Sequence, residues 1–67
     1  MVITIQINGQ PTTIDAGTTV RSYLAARGLL PDKVAIELNR RLLRTERYDD
    51  ELREGDALEI VTFVGGG

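Results

Sequence analysis

Between Val2 and Ile7 the chain alternates, with Ile3, Ile5 and Ile7 on one side and Val2, Thr4 and Gln6 on the other. That two-residue period belongs to a strand, and the β-branched side chains suit one. Asn8-Gly9 follows, a pair that tolerates positive φ and favours a tight hairpin turn. Thr12-Thr13-Ile14 then reads as the returning strand. Pro11 has no N–H to donate, which puts it near the start of an edge strand. The opening element is therefore a β-hairpin.

Asp15-Ala16-Gly17 interrupts the strand pattern, and Thr18 or Thr19 is placed to cap a helix whose first turn holds Val20. Val20, Tyr23, Leu24 and the aliphatic stem of Arg27 share one helical face. Gly28 suits the left-handed position after the last turn, and Pro31 prevents a restart nearby. A helix of about ten residues is too short to stand alone, so it must pack on the sheet. Val34, Ile36 and Leu38 alternate with Ala35, Glu37 and Asn39 to give a third strand. Asn39-Arg40-Arg41 reads as a turn, and Leu42-Leu43 as a short fourth strand. Thr45 to Leu52 is polar and irregular, with Tyr48 and Leu52 as anchors onto the core. Glu54-Gly55-Asp56 is a turn signal. Leu58 to Phe63 is the last strand, with Leu58 and Ile60 on one side and Val61 and Phe63 on the other.

Hairpin, helix, strand, short strand and final strand fit one helix lying across a mixed sheet of about four to five strands. The first and last strands are expected to be adjacent and parallel at its centre. This is the ubiquitin-like β-grasp, an α+β fold. Ile3, Ile5, Val20, Leu24, Ile36, Leu58 and Ile60 are its expected core. Residues 1–67 are expected to form a single domain, with 64–67 as a flexible reactive tail.

The chemical inventory narrows the function. The 67 residues contain no Cys and no His, which removes disulfides, thiolate and imidazole metal sites, and the usual nucleophile–base pairs. Lys33 is the only lysine, and a chain this short does not easily enclose a pocket around two carboxylates. The expectation is a protein that is not an enzyme and binds no metal or cofactor. Ten acidic residues against eight basic ones leave no basic surplus to neutralise phosphates, so nucleic acid is not expected as a partner. No apolar run is long enough to span a bilayer, and the start has no signal-peptide pattern, so no membrane partner is expected and a cytoplasmic location is.

The most informative feature is the tail, where a β-branched and aromatic strand runs into Gly65-Gly66-Gly67. Glycine has no Cβ, so such residues can thread a channel too narrow for side chains. Fully extended, Val64 to Gly67 would reach about 13 Å beyond the sheet, at about 3.3 Å per residue. The free carboxylate of Gly67 becomes the expected working group, with Gly65 and Gly66 as the recognition segment.

The first strand with Asn8-Gly9, Thr18-Thr19-Val20 at the helix start, and the strand Val34-Ala35-Ile36-Glu37-Leu38-Asn39 form an ordered set. Arg44, Gly55-Asp56 and the closing Phe63-Val64-Gly65-Gly66-Gly67 complete it. In order, spacing and length the whole chain resembles the thiamine-biosynthesis sulfur carriers, the ThiS family. The resemblance implies that an ATP-dependent adenylating enzyme of the ubiquitin-activating type activates Gly67, ATP being used by that partner. Sulfur from a sulfur donor protein then replaces AMP to leave a thiocarboxylate, which thiazole synthase receives as its sulfur source. A terminal carboxyl is ionised at neutral pH and is a poor electrophile, which is why it needs such activation.

Other readings of the same pattern stay open at the level of sequence. They are a molybdopterin-synthase small subunit, a ubiquitin-like protein modifier, and a β-grasp interaction module with incidental glycines. Val61 and Phe63 read either as an exposed apolar patch for partner docking or as packing of the sheet's second face. Arg40, Arg41, Arg44 and Arg47 read as a solvated surface balanced by Asp49, Asp50, Glu51, Glu54 and Asp56, or else as a docking stretch.

Overall fold

The alternating segments of the sequence become strands, and the computed structural model describes residues 1–63 of the chain. The elements in order are β1 (Val2–Ile7), β2 (Gln10–Asp15), α1 (Val20–Ala26), β3 (Val34–Leu38), β4 (Arg41–Leu43) and β5 (Ala57–Thr62). Short 3-10 turns occupy Pro31–Lys33 and Thr45–Arg47. The five strands form one sheet in the order β2-β1-β5-β3-β4. β1 and β5 run parallel at its centre, and the other neighbouring pairs are antiparallel. This is the mixed sheet with one helix that the sequence predicts.

Two hairpins use the same turn. Asn8 and Gly9 take φ of 51° and 82°, and Asn39 and Arg40 take 53° and 69°. Both pairs suit the right-handed twist of the strands they join. Pro11 pairs with Gln6 on the outer strand β2, while the Gln6 N–H points the other way and donates to the Asp56 carbonyl at 2.8 Å. The missing N–H of Pro11 therefore faces away from the ladder and breaks no bond.

Thr19, rather than Thr18, caps α1. Its Oγ1 accepts from the Ser22 N–H at 3.0 Å, and its own N–H donates to Ser22 Oγ at 2.9 Å. The helix is seven residues long, shorter than its sequence suggests. Gly28, at φ 71°, turns the chain so that the Leu29 N–H donates to the Leu24 carbonyl and the Gly28 N–H to the Ala25 carbonyl. These bonds close the last turn, and Leu29 folds back onto the core. Pro31 opens a 3-10 turn instead of only ending helical structure, a position where its missing N–H is harmless.

The core is Ile5, Val20, Leu24, Val34, Ile36, Tyr48, Leu52 and Leu58. Ile3 and Ile60 pack against it but are only partly buried, while Val34 joins it. The polar segment before Leu52 is tied to the helix start by backbone bonds. Arg21 N–H donates to the Tyr48 carbonyl at 2.9 Å, and Leu52 N–H donates to the Thr18 carbonyl at 2.8 Å.

Candidate functional site at the end of the central strand

β5, at the centre of the sheet, is the last strand of the described residues and is held from both sides. Its odd-numbered residues bond to β3: Asn39 N–H donates to the Ala57 carbonyl at 2.8 Å, and Phe63 N–H to the Lys33 carbonyl at 2.9 Å. Its even-numbered residues face β1. Gln6 N–H donates to Asp56, and Asn8 N–H donates to the Leu58 carbonyl at 2.9 Å. β1 then turns away at Asn8, but the side chain of Asn8 continues the ladder. Its Oδ1 accepts from the Ile60 N–H at 2.8 Å, and its Nδ2 donates to the Ile60 carbonyl at 3.3 Å. The last strand is thus held on both sides as far as Ile60.

Val61 and Phe63 stand on the face opposite the helix and are 57% and 56% exposed. Val61 pairs with Ala35, and Phe63 with Lys33 through its backbone. The two side chains therefore form an exposed apolar patch at the C-terminal end of β5. Leu42 and Val2, also exposed, lie on other strands away from that end. On the helix side, an open groove of about 430 Å³ runs beside the same strand end, lined by Ile7, Asn8, Tyr23, Arg27, Leu29, Ile60 and Thr62. Arg27 is fixed there, with Nε donating to the Tyr23 hydroxyl at 3.0 Å.

Gly65, Gly66 and Gly67, the tail residues singled out by the sequence, lie outside the described residues. The charged stretch is less evenly compensated than its composition suggests. Arg47 pairs with Asp50 at 2.9 Å and Asp49 with Arg21 of the helix at 2.9 Å, whereas Arg40, Arg41 and Arg44 have no ion-pair partner among the described residues. Among the described residues, no group of three or more acidic side chains is placed to hold a metal ion. No helix there is long and apolar enough to cross a membrane. Sequence reasoning missed Asn8 as part of this site, because its partner is 52 residues away and only its turn role is local.

A model of the ThiS family matches residues 5–67. The chain belongs to the ThiS family. The sulfur carrier protein ThiS of Bacillus subtilis is 38% identical over 65 residues, covering 94% of this chain and 98% of that protein. A crystal structure of the thiamine biosynthesis protein ThiS of Geobacter metallireducens superposes with a TM-score of 0.75 at 34% identity, covering 97% of this chain and all of that one. A thiazole synthase of Magnetococcus marinus is 41% identical over 64 residues, which are 94% of this chain but 20% of that protein. The chain thus spans about a fifth of the thiazole synthases it matches, and nearly the full length of the ThiS family carrier of Bacillus.

Proposed function

We propose that this chain is a sulfur carrier of thiamine biosynthesis and that sulfur rides on the carboxyl group of Gly67 as a thiocarboxylate. The observation that carries the reading is the match to the ThiS family over residues 5–67, glycine tail included. A carboxylate oxygen of Gly67 attacks the α-phosphate of ATP in an adenylating partner, pyrophosphate leaves, and an acyl adenylate results. Sulfide-level sulfur released by a donor protein then attacks the acyl carbon and displaces AMP, leaving the thiocarboxylate. Thiazole synthase is the proposed acceptor, a reading supported by the thiazole synthases that contain a segment similar to this chain.

The residues described here supply position and recognition, and partners supply catalysis. β5 is anchored by β3 and by Asn8, which fixes the strand that precedes the tail in sequence. Val61 and Phe63 at the C-terminal end of that strand offer apolar area for a partner to cover, and the glycines offer backbone that a narrow channel can accept. The site of action is proposed to be the cytoplasm, where ATP and reduced sulfur donors are at hand. The test is the intact mass of protein isolated from cells making thiamine. One oxygen-for-sulfur exchange at the C-terminus supports the reading, and its absence under thiamine starvation contradicts it.

A further inference from the structure

Past Ile60, the β1-facing side of the last strand has no occupant among the described residues. Thr62 pairs with Val34, but this is a non-hydrogen-bonded pair, because the bonds to β3 are made by residues 57 and 63 and hence by the odd positions between them. The Thr62 N–H and C=O therefore point to the side where β1 would lie had it not turned at Asn8. Thr62 is exposed, and among the described residues no side chain reaches these groups as Asn8 reaches Ile60.

The sheet's two outer edges are blunted in the usual ways. β2 carries Pro11, and β4 is three residues long with Arg40, Arg41 and Arg44 in and around it. The half-edge at Thr62 has neither device. It also borders the groove beside Ile7, Leu29 and Ile60, with the Arg27 guanidinium over the Tyr23 ring at 5.2 Å and without an ion-pair partner among the described residues.

We infer that the Thr62 edge of β5 receives an extended segment of the adenylating protein, which adds to the sheet by backbone hydrogen bonds. The segment places an apolar side chain between Ile7, Leu29 and Ile60 and a carboxylate near Arg27. Strand addition uses backbone groups for affinity and alternate side chains for specificity, and this half-edge offers both. The tail is the direct continuation of the paired strand, so pairing at Thr62 aligns Gly67 with the partner's active site. The inference rests on the sulfur-carrier reading and deepens it by naming the surface that guides the tail.

The experiment combines amide exchange with one substitution. In the complex of the full chain with its adenylating enzyme, exchange of the Thr62 amide should slow relative to the free protein, while unpaired loop amides stay unchanged. Thr62→Pro removes a donor that faces outward, besides fixing φ at about −65°, and Thr62→Val keeps that donor. Thr62→Pro should raise the carrier's KM for ATP-dependent pyrophosphate release about tenfold, the worth of a hydrogen bond, with kcat and melting temperature near wild type. Thr62→Val, which keeps the backbone donor, should raise this KM less than Thr62→Pro does. A Thr62 amide that exchanges equally fast free and bound overturns the inference even if Thr62→Pro fails to fold. So does protection that grows with the concentration of the free protein, since a second copy of this chain then occupies the edge. If wild type neither binds nor is adenylated, the sulfur-carrier reading falls and the inference with it. Normal adenylation with an unprotected Thr62 removes the inference alone.

Discussion

The side-chain amide of Asn8 meets both backbone groups of Ile60, accepting from its N–H at 2.8 Å and donating to its carbonyl at 3.3 Å. One residue thus does two jobs: its φ of 51° turns the first hairpin, and its side chain acts as an added rung of β1 against β5. Asn8→Gly separates these roles, because glycine keeps the turn and deletes the rung. The expected cost is about 1–2 kcal/mol for two lost, partly solvated hydrogen bonds. The melting temperature should fall by several degrees, and the Ile60 amide should exchange faster than in wild type. Unchanged exchange at Ile60 would show that the side chain does not hold the strand.

Ile36 and Ile60 are register partners on β3 and β5 but differ in burial, Ile36 being fully buried and Ile60 only partly so. Truncation to Ala should therefore be unequal. Ile5→Ala and Ile36→Ala should each cost about 2–5 kcal/mol, enough to unfold a core this small at ordinary temperature. Ile60→Ala should cost clearly less. Thermal melts followed by circular dichroism give the order, and an Ile60 effect equal to that of Ile36 contradicts the burial difference.

Arg40 holds a left-handed conformation that Gly9 holds in the matching turn, at φ of 69° and 82°. A side chain there stores about 1 kcal/mol or more of backbone strain. Arg40→Gly creates the favoured Asn-Gly pair of this turn and should raise the melting temperature by a few degrees, part of the gain being offset by greater freedom of the unfolded chain. A lower melting temperature would mean that the Arg40 side chain stabilises the fold by contacts that outweigh its strain.

Phe63 lies beyond the last residue of β5 and is half exposed, so Phe63→Ser should change stability by no more than about 0.5 kcal/mol. Binding to the adenylating enzyme should weaken several-fold. Titration of the two proteins beside a thermal melt separates the effects, and a collapse of the fold without a separate binding defect assigns Phe63 to the core.

Local signals carried most of this fold into the sequence. The alternation of Ile3, Ile5 and Ile7, the pair Asn8-Gly9 and the stop at Gly28 each act within a few residues and act as read, and of the two caps the sequence offers, Thr18 and Thr19, the bonds to Ser22 select Thr19. What the sequence hid depends on distant neighbours. Asn8 shows as a turn residue because nothing nearby announces Ile60. In Thr45 to Leu52 the sequence shows the two anchors, Tyr48 and Leu52, which are both buried, but not the ties to Thr18 and Arg21, which are made by backbone. Val34 shares the core-facing side of Ile36, yet its burial depends on what lies over the start of β3. The exposure of Val61 and Phe63 likewise needed the sheet order, which leaves their face uncovered. The candidate reactive group left only a compositional trace, three glycines, and its chemistry entered through family resemblance because a main-chain carboxylate has no side-chain signature.

The central claim is that Gly67 carries the sulfur. Wild type and a variant lacking Gly67 should melt alike, since the residue lies beyond the last strand. Shortening the tail by about 3.3 Å should misplace the carboxylate within a shaped active site and abolish adenylation. The decisive measurement is intact mass after incubation with ATP, the adenylating enzyme and a sulfur donor. Wild type should gain one sulfur in place of one oxygen and the deletion variant none; a variant that acquires sulfur as readily as wild type contradicts the assignment to Gly67.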